Sequence, residues 1–147
     1  LLLASVAGAG MVYHMAQVYR LPAAPGWNSW RTNAGFFVSA LLLGIAAMIP
    51  LLTFESNMTG IRVPSVQWGM TGFSVLVLLL AQFSLIRNPA APDTIQRTRI
   101  GFMLIAASAA ISIVHVGAAA PVISMLMSVF VVSAEILGRW VFYRSRL

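Results

Sequence analysis

The chain has 147 residues, 60% of them hydrophobic and 8% charged, with a mean hydropathy of +0.91. A soluble domain carries about 25% charged residues, and a chain this short still has much surface to solvate, so the composition excludes a water-soluble domain and indicates an integral membrane protein. The net charge of +6 comes from nine arginines without a lysine, and basic loops at a membrane surface or against a partner subunit account for it better than nucleic acid does. The lack of cysteine excludes disulfides, iron–sulfur ligation and covalent c-type haem within the chain.

A bilayer-spanning helix needs about 20 apolar residues. Five segments meet this, at about 1–19, 35–54, 66–86, 100–118 and 121–143, and they predict an all-α transmembrane bundle in a single domain. The first opens as LLLASV, inside an apolar run and without a basic n-region, which is expected of a piece of a longer protein rather than of a secretory signal. It carries small residues (Ala4, Ala7, Gly8, Gly10), as does the fourth (Ala106 to Ala110), and small residues at four-spacing let helices pack closely in lipid. Both helices are therefore expected inside the bundle.

Between the first two segments lies a loop at 20–34 with two prolines, two tryptophans and two arginines. The second segment contains Pro50, tolerable in a membrane helix where a neighbour satisfies the freed carbonyl. Glu55, in the loop at 55–65, reads as a solvated acid. Pro89 and Pro92 break the chain before the fourth segment, and Pro121 starts the fifth. The Arg-rich side of the bundle holds Arg20, Arg31, Arg87, Arg97, Arg99, Arg144 and Arg146, against Arg62 alone on the other. The positive-inside rule would place the first side in the cytoplasm.

Ionisable residues within the bilayer are costly and mark functional positions. His14 and His115 raise b-type haem, but at 1.5 Å per residue His14 lies ~9 Å and His115 ~24 Å from the Arg-rich surface, too different in depth for one iron. His115 instead continues a stripe of Ser108 and Ser112 on one helix face, expected to bond between helices. Glu135 and Arg139 stand four apart with the acid first, the order that favours a helical ion pair. They lie ~13.5 and ~7.5 Å below that same surface. Gly10, His14 and Gln17 share a face of the first helix at similar depth. The first and last helices thus offer His14, Gln17, Glu135 and Arg139 as a polar cluster of the kind a quinol would need, with acceptors for two hydroxyl protons.

Two stretches carry a family resemblance. The run VYRLPAAPGWNSWRTNAGFFVSALLLG, with Val18-Tyr19 closing a helix, the Trp27-Asn28-Ser29-Trp30 core and Gly35-Phe36-Phe37 opening the next, resembles DmsC-type membrane-anchor subunits of dimethyl sulfoxide reductase and related molybdoenzymes. The run VVSAEILGRWVFY, with Glu135, Gly138 and Arg139, is similar to the last helix of that family. The resemblance implies an eight-helix anchor of which this chain holds the C-terminal five. It also implies menaquinol oxidation without haem or an iron–sulfur cluster of the anchor's own. The partners would be an iron–sulfur electron-transfer subunit and a molybdopterin catalytic subunit at a bacterial inner membrane. Arg20, Trp27, Asn28, Trp30 and Arg31 would then form a docking surface, with the tryptophans also suited to the headgroup level. The family's usual orientation, with its C-terminus on the periplasmic face, opposes the arginine count. A transporter fragment is the alternative, and would show inverted repeats or broken half-helices; a small structural or assembly protein is a third.

Overall fold

A computed structural model describes residues 2–20, 29–60, 65–85, 93–113 and 120–144. They form five α-helices, and no strand occurs among the described residues: α1 (Leu2–Val18), α2 (Trp30–Thr59), α3 (Ser65–Leu85), α4 (Asp93–Ile113) and α5 (Ala120–Arg144). By length and composition α2 and residues Pro121–Tyr143 of α5 can each cross a bilayer, while Leu2–Val18 and Gly69–Leu85 are shorter apolar helices. Over its described length α4 does not reach that standard, because it opens on the polar run Asp93-Thr-Ile-Gln-Arg-Thr-Arg99.

Helix α2 starts at Trp30, five residues before the apolar run, and continues to Thr59. Ser29 ends the preceding chain in an extended conformation, and its carbonyl accepts from Thr32 N at 3.1 Å. The apolar period accounts for the extension. Thr32, Gly35, Ser39, Leu42, Ala46, Ile49 and Thr53 are all buried, an alternation of three and four that keeps one seam facing a partner helix. At the far end Gly60 takes the left-handed conformation (φ 69°) that a C-terminal residue without a Cβ adopts freely. Glu55 is exposed in the last turns of α2 rather than in a loop.

The other helices repeat the seam. Buried positions run Gly72, Val75, Leu79, Gln82 on α3; Arg99, Met103, Ala106, Ala110, Ile113 on α4; and Ser124, Met127, Val131, Ala134, Gly138, Val141 on α5. These helices pack α2 to α3, α3 to α4, α4 to α5 and α5 back to α2. The result is an up-down-up-down four-helix ring, in which each helix buries an apolar stripe against two neighbours. Helix α1 packs on α2 outside the ring. The expected burial of small residues holds for α4, where Ala106 and Ala110 are fully buried. It fails for α1, whose Ala4, Ala7 and Gly8 are exposed.

Pro50 shows how the α2–α5 seam closes. Proline has no N–H, so the carbonyl four residues back loses its helical donor. That carbonyl is Ala46 O, and Ser128 Oγ on α5 donates to it. The same hydroxyl lies 2.9 Å from Ser124 O, so its single proton is shared between two carbonyls. A turn further on, Thr53 Oγ1 and Ser124 Oγ pair at 3.0 Å across the same seam.

Candidate functional site: a buried polar layer across four helices

Near the end of the ring where α2 and α4 begin and α3 and α5 end, each of the four helices turns a polar side chain inward. Ser39, Gln82, Arg99 and Glu135 are 3%, 2%, 3% and 5% exposed. Glu135 Oε1 accepts from Arg139 Nε at 2.9 Å, the ion pair expected one turn apart on α5. Its other oxygen accepts from Gln82 Nε2. The second amide hydrogen of Gln82 goes to Ser39 Oγ at 3.0 Å. Ser39 Oγ also accepts from an Arg139 terminal nitrogen at 2.7 Å and donates to Gly35 O at 2.7 Å, so this one hydroxyl has its donor and both acceptor sites in use. Gln82 Oε1 is buried and has no partner among the described residues.

Arg99 brings a second guanidinium into the layer, within electrostatic reach of both Glu135 and Arg139. Its seat is Gly138. A Cβ at Gly138 would stand 3.0 Å from Arg99 Nε and 3.1 Å from Cζ, so glycine here makes the room for a buried arginine. The layer therefore sets two guanidiniums around one carboxylate. Arg139, with 22% of its side chain exposed, forms its edge and lies 4.0 Å from the Phe36 ring centroid, within cation–π range. Phe36 in turn stacks on Tyr19 at 5.2 Å, and Tyr19 meets Tyr143 at 5.7 Å, which ties the end of α1 to this corner.

Of the residues expected to form the site, Glu135 and Arg139 are together. His14 is exposed on α1 against the Tyr13 ring (5.9 Å, edge-on), and no described contact joins it to Glu135. Gln17 is half-buried, with Oε1 3.5 Å from an Arg20 terminal nitrogen. Of the loop residues, Arg20 is exposed, while Trp30 and Arg31 lie in the first turn of α2 and are exposed, Trp30 by 70%. Trp27, Asn28 and His115 lie outside the described residues. Ser108 and Ser112 turn their hydroxyls to carbonyls of their own helix, Leu104 O and Ser108 O, rather than across to a neighbour.

Ser39, Gln82 and Arg99 are not marked by the sequence reading. Arg99 was expected at the surface and instead sits inside the ring. The signal that finds it is the seam: Arg99 continues Met103, Ala106, Ala110 at three- and four-spacing, and Gln82 continues Val75, Leu79 in the same way. Among the described residues no group of His, Cys, Asp and Glu is placed to hold a metal ion.

A helical membrane protein with an ionised centre buried between its helices is the class that this fold and site define. The chain belongs to the DMSO reductase anchor subunit (DmsC) family, whose family model matches residues 1–144. It is thus a membrane-anchor component of an oxidoreductase complex of the DMSO reductase type. No curated protein and no solved structure matches it.

Proposed function

We propose that the chain oxidises menaquinol for a DMSO reductase-like complex in the bacterial inner membrane. Its five helices span the bilayer, and it passes electrons to an iron–sulfur subunit that serves a molybdopterin catalytic subunit. Glu135 at the centre of the four-helix polar layer carries this reading. A carboxylate held there by Arg139 and Gln82 is placed to take a proton from a hydroxyl at the membrane's Arg-rich end, and the spare acceptor Gln82 Oε1 suits a hydroxyl donor. Arg139 orients the carboxylate, and Arg99 adds positive charge beside it. His14 and Gln17 on α1 belong to the approach from lipid. Arg20, Trp27, Asn28, Trp30 and Arg31 form the surface on which the iron–sulfur subunit docks.

The test is purification of the intact complex from native membranes, metal analysis and assay of menaquinol oxidation. Molybdenum and iron are expected to co-purify, and Glu135→Gln is expected to lower quinol oxidation by about 100-fold or more, the scale of a lost proton acceptor, with assembly retained. A protein that emerges alone and metal-free, or a Glu135→Gln complex of full activity, would refute the proposal.

A further inference from the structure

The polar layer is closed on one side. Passing from it along each helix away from Arg139, the buried side chain one turn on is apolar on all four: Leu42, Leu79, Met103 and Val131, with Ala134 buried next to Glu135 on α5. The next after that is apolar again: Ala46, Val75, Ala106 and Met127. All eight side chains are buried in one continuous cluster. Hydroxyls reappear at the level of Ala46 and Met127, where Ser128 bonds Ala46 O, and further on at the Thr53–Ser124 pair, and all of them are already bonded to carbonyls of α2 and α5. Seven residues separate Glu135 from Ser128, about 10 Å of helix. A proton moves between groups in hydrogen-bond contact, about 3 Å apart, and a closely packed apolar layer holds no water to bridge such a gap.

The other direction is open. Glu135 Oε1 is 2.9 Å from Arg139 Nε, and the Arg139 side chain is 22% exposed at the edge of the ring. The aromatic groups there, Phe36, Tyr19 and Tyr143, are only partly buried. The charged and polar groups facing Glu135 are Ser39 from α2, Gln82 from α3, Arg99 from α4 and Arg139 from α5; none of them lies on the dry side.

We infer that Glu135 exchanges protons with one side of the membrane only, the side where α2 begins and α5 ends, because a packed apolar cluster seals it from the other. This rests on the menaquinol reading. When quinol is oxidised, each hydroxyl O–H bond breaks, the two electrons pass to the iron–sulfur subunit, and the protons leave by way of the Glu135 carboxylate to that side. No proton crosses the bundle.

The experiment uses the intact complex in liposomes with a trapped pH dye and a second indicator outside. Met58, 73% exposed at the far end of α2, provides the marker for orientation. Met58→Cys gives this cysteine-free chain one thiol, and an impermeant maleimide reports whether that end faces outward. Two protons per menaquinol are expected on the side opposite the Met58 label, with that signal reduced at least tenfold in Glu135→Gln. Protons on the Met58 side would overturn the inference while leaving menaquinol oxidation intact; release that persists unchanged in Glu135→Gln would overturn the role of Glu135 in both. A complex that does not oxidise menaquinol at all would overturn the functional reading and this inference with it.

Discussion

Ser128→Ala should destabilise the protein only as long as residue 50 is proline. In the native chain the substitution removes the α5 hydroxyl that donates to Ala46 O, the carbonyl that Pro50 deprives of its helical donor. Ala46 is 1% exposed, so water cannot take over. An unsatisfied buried carbonyl costs about 1–3 kcal/mol, whereas interhelical hydrogen bonds in membrane proteins average about 0.6 and reach about 1.7 kcal/mol. Because the Ser128 proton is shared with Ser124 O, the expected loss is about 1 kcal/mol. In a Pro50→Ala background the residue-50 N–H returns and bonds Ala46 O within α2. Ser128→Ala should then cost less than about 0.5 kcal/mol. Unfolding of the purified protein by graded sodium dodecyl sulfate, followed by circular dichroism, yields all four corners of the cycle. Equal losses in the two backgrounds would refute the proposed pairing of Ser128 with the proline-freed carbonyl.

Gly138→Ala places a methyl 3.0–3.1 Å from the Arg99 guanidinium, and the strain of displacing a buried side chain should lower stability by about 1–3 kcal/mol. Gly101→Ala is its control, since a Cβ there meets nothing within 4 Å; it should be neutral or gain up to about 1 kcal/mol in helix propensity, and a matching loss at both glycines would refute the seat. Arg139→Met removes the partner from a carboxylate that is 5% exposed. With Arg99 still in range, the cost should fall at the lower end of the 3–5 kcal/mol typical of a broken buried pair, about 3 kcal/mol. Adding Glu135→Gln to Arg139→Met should recover most of that in the same unfolding assay.

What the sequence makes legible is set by how local the causes are. The Glu135–Arg139 pair depends on neighbours four residues apart and follows from spacing alone, and so does the identity of the carbonyl that Pro50 frees, though its donor Ser128, 82 residues on, does not. The start of α2 does not, because Arg31, Thr32 and Asn33 look like loop residues until Thr32 is seen to continue the buried seam. Arg99 is the clearest case. A charge in a polar run beside a proline-rich connection reads as solvated, and only the convergence of Gly138 and Glu135 from α5 makes burial tolerable there. The small residues of α1 show the converse. Their spacing permits close packing but cannot say against what, and α1 packs mainly on α2, at the rim of the ring.

The proline in α2 also sets an order of events during synthesis. Ala46 enters the membrane with its carbonyl unmatched, and its donor Ser128 lies 82 residues further along the chain. At translation rates of about 5–20 residues per second, that is a wait of about 4–16 s. For that interval α2 is a helix with an open polar notch in hydrocarbon, stabilised by staying near water, the insertion machinery or another helix. The last helix carries the matching hydroxyl and, on the same seam, the carboxylate that ties together Gln82 and Arg139. Arrival of α5 therefore fills the notch and assembles the ionic centre in a single step, so a chain truncated before it would be an early target for quality-control proteolysis rather than a smaller working anchor.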